Sequence, residues 1–229
     1  MNSFASPQTL AALPFPSPAD TLYSRVFDAI LEQRIDTTSR FTEESLAQMF
    51  GARRSDIRGV LTRLSHQHVI VLRTNHRPRV AALDHEQTRQ MLHARRLTEI
   101  TLVRLACQQS RPQDFKPLRA LIECERDCTA RGPAIRLSGE FHLRLAEMAG
   151  NAPLAHFLGS LVPLTSLAIA HFDALARGYC VWQVHEALVD AVEKRDRQKA
   201  QTLLSQHLDH LEEMLLNTGL ASSLNRVAG

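Results

Sequence analysis

Aromatic side chains are scarce in this 229-residue chain, which has one Trp, two Tyr and nine Phe. That scarcity argues against a β-sandwich and against a surface of aromatic platforms for stacking single-stranded bases. Residues 1–20 hold four Pro and no Lys or Arg. Without a basic start or an unbroken apolar run, they do not read as a signal peptide. They read as a disordered arm ending at Asp20, which is placed to cap the first helix. No segment is expected to be long and apolar enough to span a membrane. The four cysteines, Cys107, Cys124, Cys128 and Cys180, fall within helical patterns. Buried thiols in a reduced, cytoplasmic protein fit them better than a disulfide framework does.

Lysine is missing from residues 21–82, where all ten basic residues are Arg against six acidic ones, a balance of +4. Residues 83–229 hold seventeen of each sign and balance to zero. The positive charge therefore lies in the N-terminal third, as expected of a surface facing phosphates, and it is carried by the side chain suited to bidentate contacts. At 44% hydrophobic and 22% charged residues the chain can build cores without metal or disulfide, and its length suits two domains.

Residues 21–82 read as three short helices and a β-hairpin. Leu22, Val26, Ile30 and Leu31 recur at helical spacing, and the pattern breaks across residues 34–40. Thr42 is the N-cap of a second helix that reaches Phe50, and Gly51 makes the turn. A third helix starts near Ser55 and buries Ile57, Val60, Leu61 and Leu64. Val69–Leu72 and Val80–Ala82 then pair across a polar tip. The rest reads as helices over 85–110, 114–130, 133–149, 152–176, 180–195 and 197–217, with loops short enough to force antiparallel packing. The expected fold is mainly α: a winged helix-turn-helix over 21–82, a linker over 83–87, an antiparallel all-helical bundle over 88–217 and a flexible tail over 218–229.

In a helix-turn-helix the second helix enters the major groove while the first braces on the backbone, and Thr42 and Glu43 at the start of that first helix are expected among the DNA-contacting residues. The third helix presents Arg53, Arg54, Ser55, Asp56 and Arg58 on its outer N-terminal side. Arg54 and Arg58 share a face, so one can reach a guanine edge while the other holds a phosphate. Asp56 is better placed to orient an arginine than to read a cytosine. Arg73, His76, Arg77 and Arg79 put the hairpin's positive charge beside the minor groove. Arg53–Arg54 alone would be an ordinary solvated basic face; the ordered helix, turn, helix and Arg-rich hairpin favour duplex DNA.

Phe41-Thr42-Glu43-Glu44-Ser45-Leu46-Ala47 followed by Arg53-Arg54-Ser55-Asp56-Ile57-Arg58-Gly59-Val60-Leu61-Thr62-Arg63-Leu64 resembles the bracing and recognition helices of the GntR family of bacterial regulators. Arg54 and Arg58 stand where the family has its two DNA-contacting arginines. Arg53, Asp56 and Gly59 stand where it usually has Ser, Pro and Glu, and His76-Arg77 replaces the Arg-Gly of its wing, which implies an altered operator preference. The rest resembles the branch with the all-helical FCD effector domain, nearer its shorter six-helix form. The resemblance is carried by Arg95-Arg96-Leu97-Thr98-Glu99, Phe141-His142-Leu143-Arg144-Leu145-Ala146, Gly150-Asn151-Ala152-Pro153-Leu154, His185 and His207.

Many members of that branch hold a divalent metal with one Asp and three His. The resemblance maps the histidines to His142, His185 and His207 and the Asp to Ser138, one turn before His142. Glu140 is two residues from His142 and points the other way. Three imidazoles can still hold Zn²⁺ or Ni²⁺, more weakly without the carboxylate; the competing reading is a metal-free polar pocket. Arg95 and Arg144 are the residues to pair with an acidic effector, or else structural ion pairs; Ser138 is expected to line the effector site with them, and His156 and His171 read as packing or exposed residues. The resemblance implies a homodimeric regulator of a pseudopalindromic operator, released by a small organic acid, and not an enzyme. The rivals are a metal-dependent enzyme built on the three histidines, which lacks a carboxylate beside them as base, and an architectural DNA-binding protein.

Overall fold

The computed structural model describes residues 18–172 and 182–227. Among these, three helices and a hairpin come first: α1 (Pro18–Leu31), α2 (Glu43–Phe50), α3 (Arg54–His66), β1 (Ile70–Val71) and β2 (Arg79–Val80). Six helices follow: α4 (His85–Gln109), α5 (Pro112–Asp127), α6 (Arg131–Glu147), α7 (Ala152–Phe172), α8 (Trp182–Glu193) and α9 (Arg197–Val227). The arm read over residues 1–20 lies, up to residue 17, outside the described residues. Helix α1 starts at Pro18, so Asp20 sits in its first turn and not at a cap; its carboxylate pairs with Arg63 at 2.9 Å. Helix α9 runs to Val227, ten residues past the expected end.

Local sequence explains the boundaries of the front elements. The Thr42 hydroxyl accepts the Ser45 N–H and the Ser45 hydroxyl accepts the Thr42 N–H, satisfying two donors that a helix start leaves bare. Gly51 closes α2 at φ +61°, a left-handed conformation that favours glycine. Ile57, Val60, Leu61 and Leu64 form the buried stripe of α3, packed on α1 and α2. The hairpin pairs Ile70 with Val80 and Val71 with Arg79, antiparallel, and Ala81 N–H extends it to the Val69 carbonyl.

Behind this head, α4 packs on α9, α7 and α6, while α5 and α8 close the bundle against α6 and α9. Asp84 and Gln87 form a second reciprocal cap at the start of α4. Helix α7 corrects one expectation: Ala152–His171 is long and apolar enough, by length and composition, to cross a membrane. In this fold it packs against α4 and α6, with Leu158, Val162 and Ala168 among its buried residues. The two groups of elements meet where α1 lies against α6 and α7. Arg136 of α6 makes a two-pronged bond to Asp28 of α1 at 2.7 and 3.2 Å. The chains pass so closely there that a Cβ on Gly132 would stand 2.7 Å from the Asp28 carbonyl oxygen.

The cysteines are also corrected. Cys107 is buried, but Cys124 is exposed, off the buried stripe of Leu118, Ile122 and Glu125 on α5, and Cys128 is half-buried at the extended cap that ends that helix. Cys180 falls outside the described residues.

Candidate nucleic-acid interface and histidine cluster

The N-terminal end of α3 stands in solvent, with Arg54 and Arg58 side chains 61% and 63% exposed. Both reach the same carboxylate. Glu43, at the start of α2, accepts Arg54 Nε at 3.0 Å and Arg58 Nε and Nη2 at 2.9 and 2.8 Å. The hydrogen bond from Arg58, aided by Arg54, holds the Glu43 carboxyl down at about 2. Glu43 therefore stays charged and fixes the two guanidinium groups side by side across the turn. Arg53 pairs with Asp56 at 2.9 Å, the orienting role read for that aspartate, and Ser55 reaches Asp56 at 3.4 Å. Thr42 is committed to its cap. Arg73, His76, Arg77 and Arg79 are all exposed on the hairpin. Its tip is set by Asn75 at φ +61° and by the His76 N–H bonded to the Arg73 carbonyl at 3.1 Å.

In the rear bundle, His142 of α6, His185 of α8 and His207 of α9 are buried together, with ligand nitrogens within 4.8 Å of one another. Their ring centroids form a near-equilateral triangle of 5.1, 5.2 and 5.3 Å. Phe141 stacks on His185 at 4.0 Å and seals one side. Two carboxylates stand behind the rings. Glu99 of α4 meets His142 Nδ1 at 2.7 Å, and Glu125 of α5 meets His185 Nδ1 at 2.7 Å. An acceptor at Nδ1 requires that nitrogen to carry the proton, which leaves Nε2 with the lone pair. Among the described residues, Nε2 of His142 and Nε2 of His185 are buried without a hydrogen-bond partner. Burial pushes the Glu99 carboxyl up, yet Arg95 and His142 together bring it well below the usual range. Burial lowers His142 to about 4 against the pull of Glu99, and burial with the neighbouring imidazoles lowers His207 as well.

The expectation concerned a carboxylate placed as a base; the carboxylates that do stand beside the triple, Glu99 and Glu125, lie on the Nδ1 side, where they orient the rings. Arg95 is 2% exposed and ion-paired to Glu99 through Nε, and its Nη2 is buried without a partner among the described residues. Arg144 is not brought to the cluster. It lies half-buried on the other face of α6, paired with Glu147 at 3.1 Å and near Glu140 at 3.8 Å. Ser138 is buried one turn before His142, and the next residue, Gly139, packs against Ser166 and Val162 of α7. His156 and His171 are exposed. Neither glutamate was identified from sequence as a site residue. For Glu99 the signal was present, four residues after Arg95; Glu125 gave none.

A winged helix-turn-helix carried on a helical bundle with a buried, oriented histidine cluster is the architecture of a DNA-binding regulator with a sensing domain. The FCD domain family matches residues 90–210, more than half of the chain. The chain belongs to that family, among the GntR-type transcription regulators. It is 32% identical over 118 residues to the HTH-type transcriptional repressor NanR of Cronobacter sakazakii, a match covering 48% of this chain and 44% of the relative. It is 23% identical over 195 residues to the Uxu operon regulator of Haemophilus influenzae, covering 76% and 72%. The chain thus spans less than half the length of the first relative. Among solved structures, E. coli McbR/YncC shares the fold with a TM-score of 0.69 at 16% identity, over 87% of this chain and 97% of that one. A GntR regulator from Rhodococcus sp. RHA1 gives 0.66 at 17% identity, over 88% and 98%.

Proposed function

We propose that this protein is a cytoplasmic, homodimeric repressor that binds a pseudopalindromic operator and releases it when a small organic acid enters the rear domain. The observation that carries the reading is the pair of exposed arginines, Arg54 and Arg58, held side by side by Glu43 at the free end of α3. Held this way, the guanidinium groups lose little freedom on meeting a base edge and a phosphate. The names of the two sequence relatives, a repressor and an operon regulator, support the same role. In this reading residues 21–82 bind DNA, 83–87 connect, and 88–217 sense the effector and dimerise.

His142, His185 and His207 would hold a divalent cation, Zn²⁺ or Ni²⁺. The bare Nε2 atoms of His142 and His185 and the oriented Nδ1 sides fit that donor set. The cation would supply a positive centre for an effector carboxylate. Arg95 Nη2, buried and unpartnered among the described residues, would be the second donor to that carboxylate. Ser138 contributes no charge where the family has a carboxylate, so the cation should be held less tightly. Glu99 and Glu125 are occupied in orienting imidazoles, and neither is free as a general base, which favours a sensor over an enzyme.

Helix α6 links the two functions. It carries His142 within the bundle and Arg136 and Gly132 against α1 of the head. A shift of α6 on effector binding would move α1 with it; an effector changes operator affinity only through its different affinity for the two arrangements. Selection of duplexes from a random pool by the full chain tests the reading. A two-fold symmetric site is expected. Absence of any enriched sequence, or turnover of a small substrate abolished by His207→Ala, would overturn it.

A further inference from the structure

The ten arginines of residues 21–82 divide into two groups. Arg34, Arg53, Arg54, Arg58 and Arg63 each face a carboxylate within 3.0 Å, and Arg25 lies 5.5 Å over the Phe50 ring. Arg40, Arg73, Arg77 and Arg79 have no ion pair or side-chain hydrogen bond among the described residues. Three of these four come together. Arg40, from the loop between α1 and α2, faces Arg77 and Arg79 of the hairpin across a cleft of about 570 Å³ that His76 also lines.

Both walls of the cleft are fixed. Ile35 and Phe41, 3% and 5% exposed, anchor the two ends of the loop in the core. Between them one oxygen of Asp36 accepts the N–H groups and hydroxyls of Thr38 and Ser39, all within 2.9 Å. Those bonds keep the Asp36 carboxyl ionised and turned to its own loop. Its charge offsets one of the three arginines, and the cleft remains positive. The opposite wall is held by the Asn75 turn and the β1–β2 ladder.

We propose that this cleft grips the phosphodiester backbone of duplex DNA, at a place separate from the arginines of α3. The proposal rests on the DNA-binding reading above and adds Arg40 and its loop to the surface that meets DNA. Guanidinium forks match phosphate oxygens, and Thr37 offers a hydroxyl on the same wall. A small phosphorylated molecule has the same chemistry. However, all three arginines are exposed, and a small anion gains little from exposed, hydrated charges in salt. A duplex gains by releasing the counterions condensed along it, and exposed arginines suffice for that.

The test measures affinity of the full chain for a mixed-sequence duplex as salt is raised. Each phosphate contact contributes ~0.9 to the logarithmic salt slope, so Arg40→Ala should flatten it by ~0.9 and the triple Arg40→Ala/Arg77→Ala/Arg79→Ala by ~2.7. Arg34→Ala, which removes an arginine already paired with Glu32, should leave the slope unchanged. An unaltered slope in the triple variant, or an equal fall with Arg34→Ala, overturns the proposal. So does saturable binding of inorganic pyrophosphate lost in the triple variant while its DNA slope stays that of the wild type. Failure of the unaltered chain to bind duplex at low salt would instead defeat the DNA-binding reading on which the proposal stands.

Discussion

The front and rear of this molecule keep their charges in opposite places. In the head, Arg54 and Arg58 are more than half exposed and share one carboxylate in water. In the bundle, Arg95, Glu99, His142, Glu125 and His185 are all buried. Surface pairs of the first kind contribute little to folding, since solvent screens them and long side chains resist fixing. Their value is to position charge for a partner. Buried groups of the second kind have already lost their water, so each depends on its neighbours, and removing one exposes the cost of the rest. Substitutions in front should therefore change binding without changing stability, and substitutions behind should change both.

The largest departure is expected behind. Glu99→Ala strips the partner from buried Arg95 and the orienting acceptor from His142, and should cost about 3–5 kcal/mol in chemical denaturation. A loss under about 1 kcal/mol would mean that the cluster is wetter than its burial indicates. Acid comes next. His142 is held at about 4 by burial, whereas in the unfolded chain it returns to the usual histidine range. As pH falls through that window the unfolded chain takes up the proton first. The cation-free protein should then lose about 3 kcal/mol by the lower end, with His207 adding in the same direction. Stability that stays level across this window would contradict the cluster's geometry.

In front, Arg54→Ala/Arg58→Ala should weaken binding to the selected duplex roughly 100-fold, at about 1–3 kcal/mol for each good contact, and leave the thermal midpoint in place. A matching drop in the midpoint would remove the contrast between the regions. The smallest effect is expected at their junction. Gly132→Ala puts a methyl group against the Asp28 carbonyl and should cost about 1–3 kcal/mol as α1 is pushed from α6. Operator affinity should become less responsive to whatever occupies the rear domain, as read by titrating the duplex with and without Zn²⁺ and a small dicarboxylate. An unchanged response would dissociate α6 from signalling.

Much of the fold was legible because its determinants are local. Thr42 and Gly51 bracket α2, the stripe of Ile57, Val60, Leu61 and Leu64 defines α3, and Pro112 and Gly150 mark two of the breaks between the rear helices, whereas the break expected at Gly132 and Pro133 falls inside the first turn of α6. The site was legible only in part. Three histidines on three helices have no shared period, and the family resemblance identified them as a set. Glu99 lies 43 residues from His142 and Glu125 lies 60 from His185; packing, not spacing, joins them. Arg144 could have been set aside from sequence, because two residues from His142 it faces away for the same reason that Glu140 does. The cleft at Arg40 was hidden for a different cause: a loop read only as a helix break meets a hairpin more than thirty residues later.

The central claim is that Arg54 and Arg58 read sequence while the unpaired arginines around the cleft only hold the backbone. The direct measurement is the affinity ratio between the selected duplex and a scrambled one, for the Arg54→Ala/Arg58→Ala and Arg40→Ala/Arg77→Ala/Arg79→Ala variants. The account predicts a ratio that collapses towards one in the first variant and stays near the wild-type value in the second, although both bind more weakly. Equal loss of the ratio in both, or its survival in the first, would contradict it.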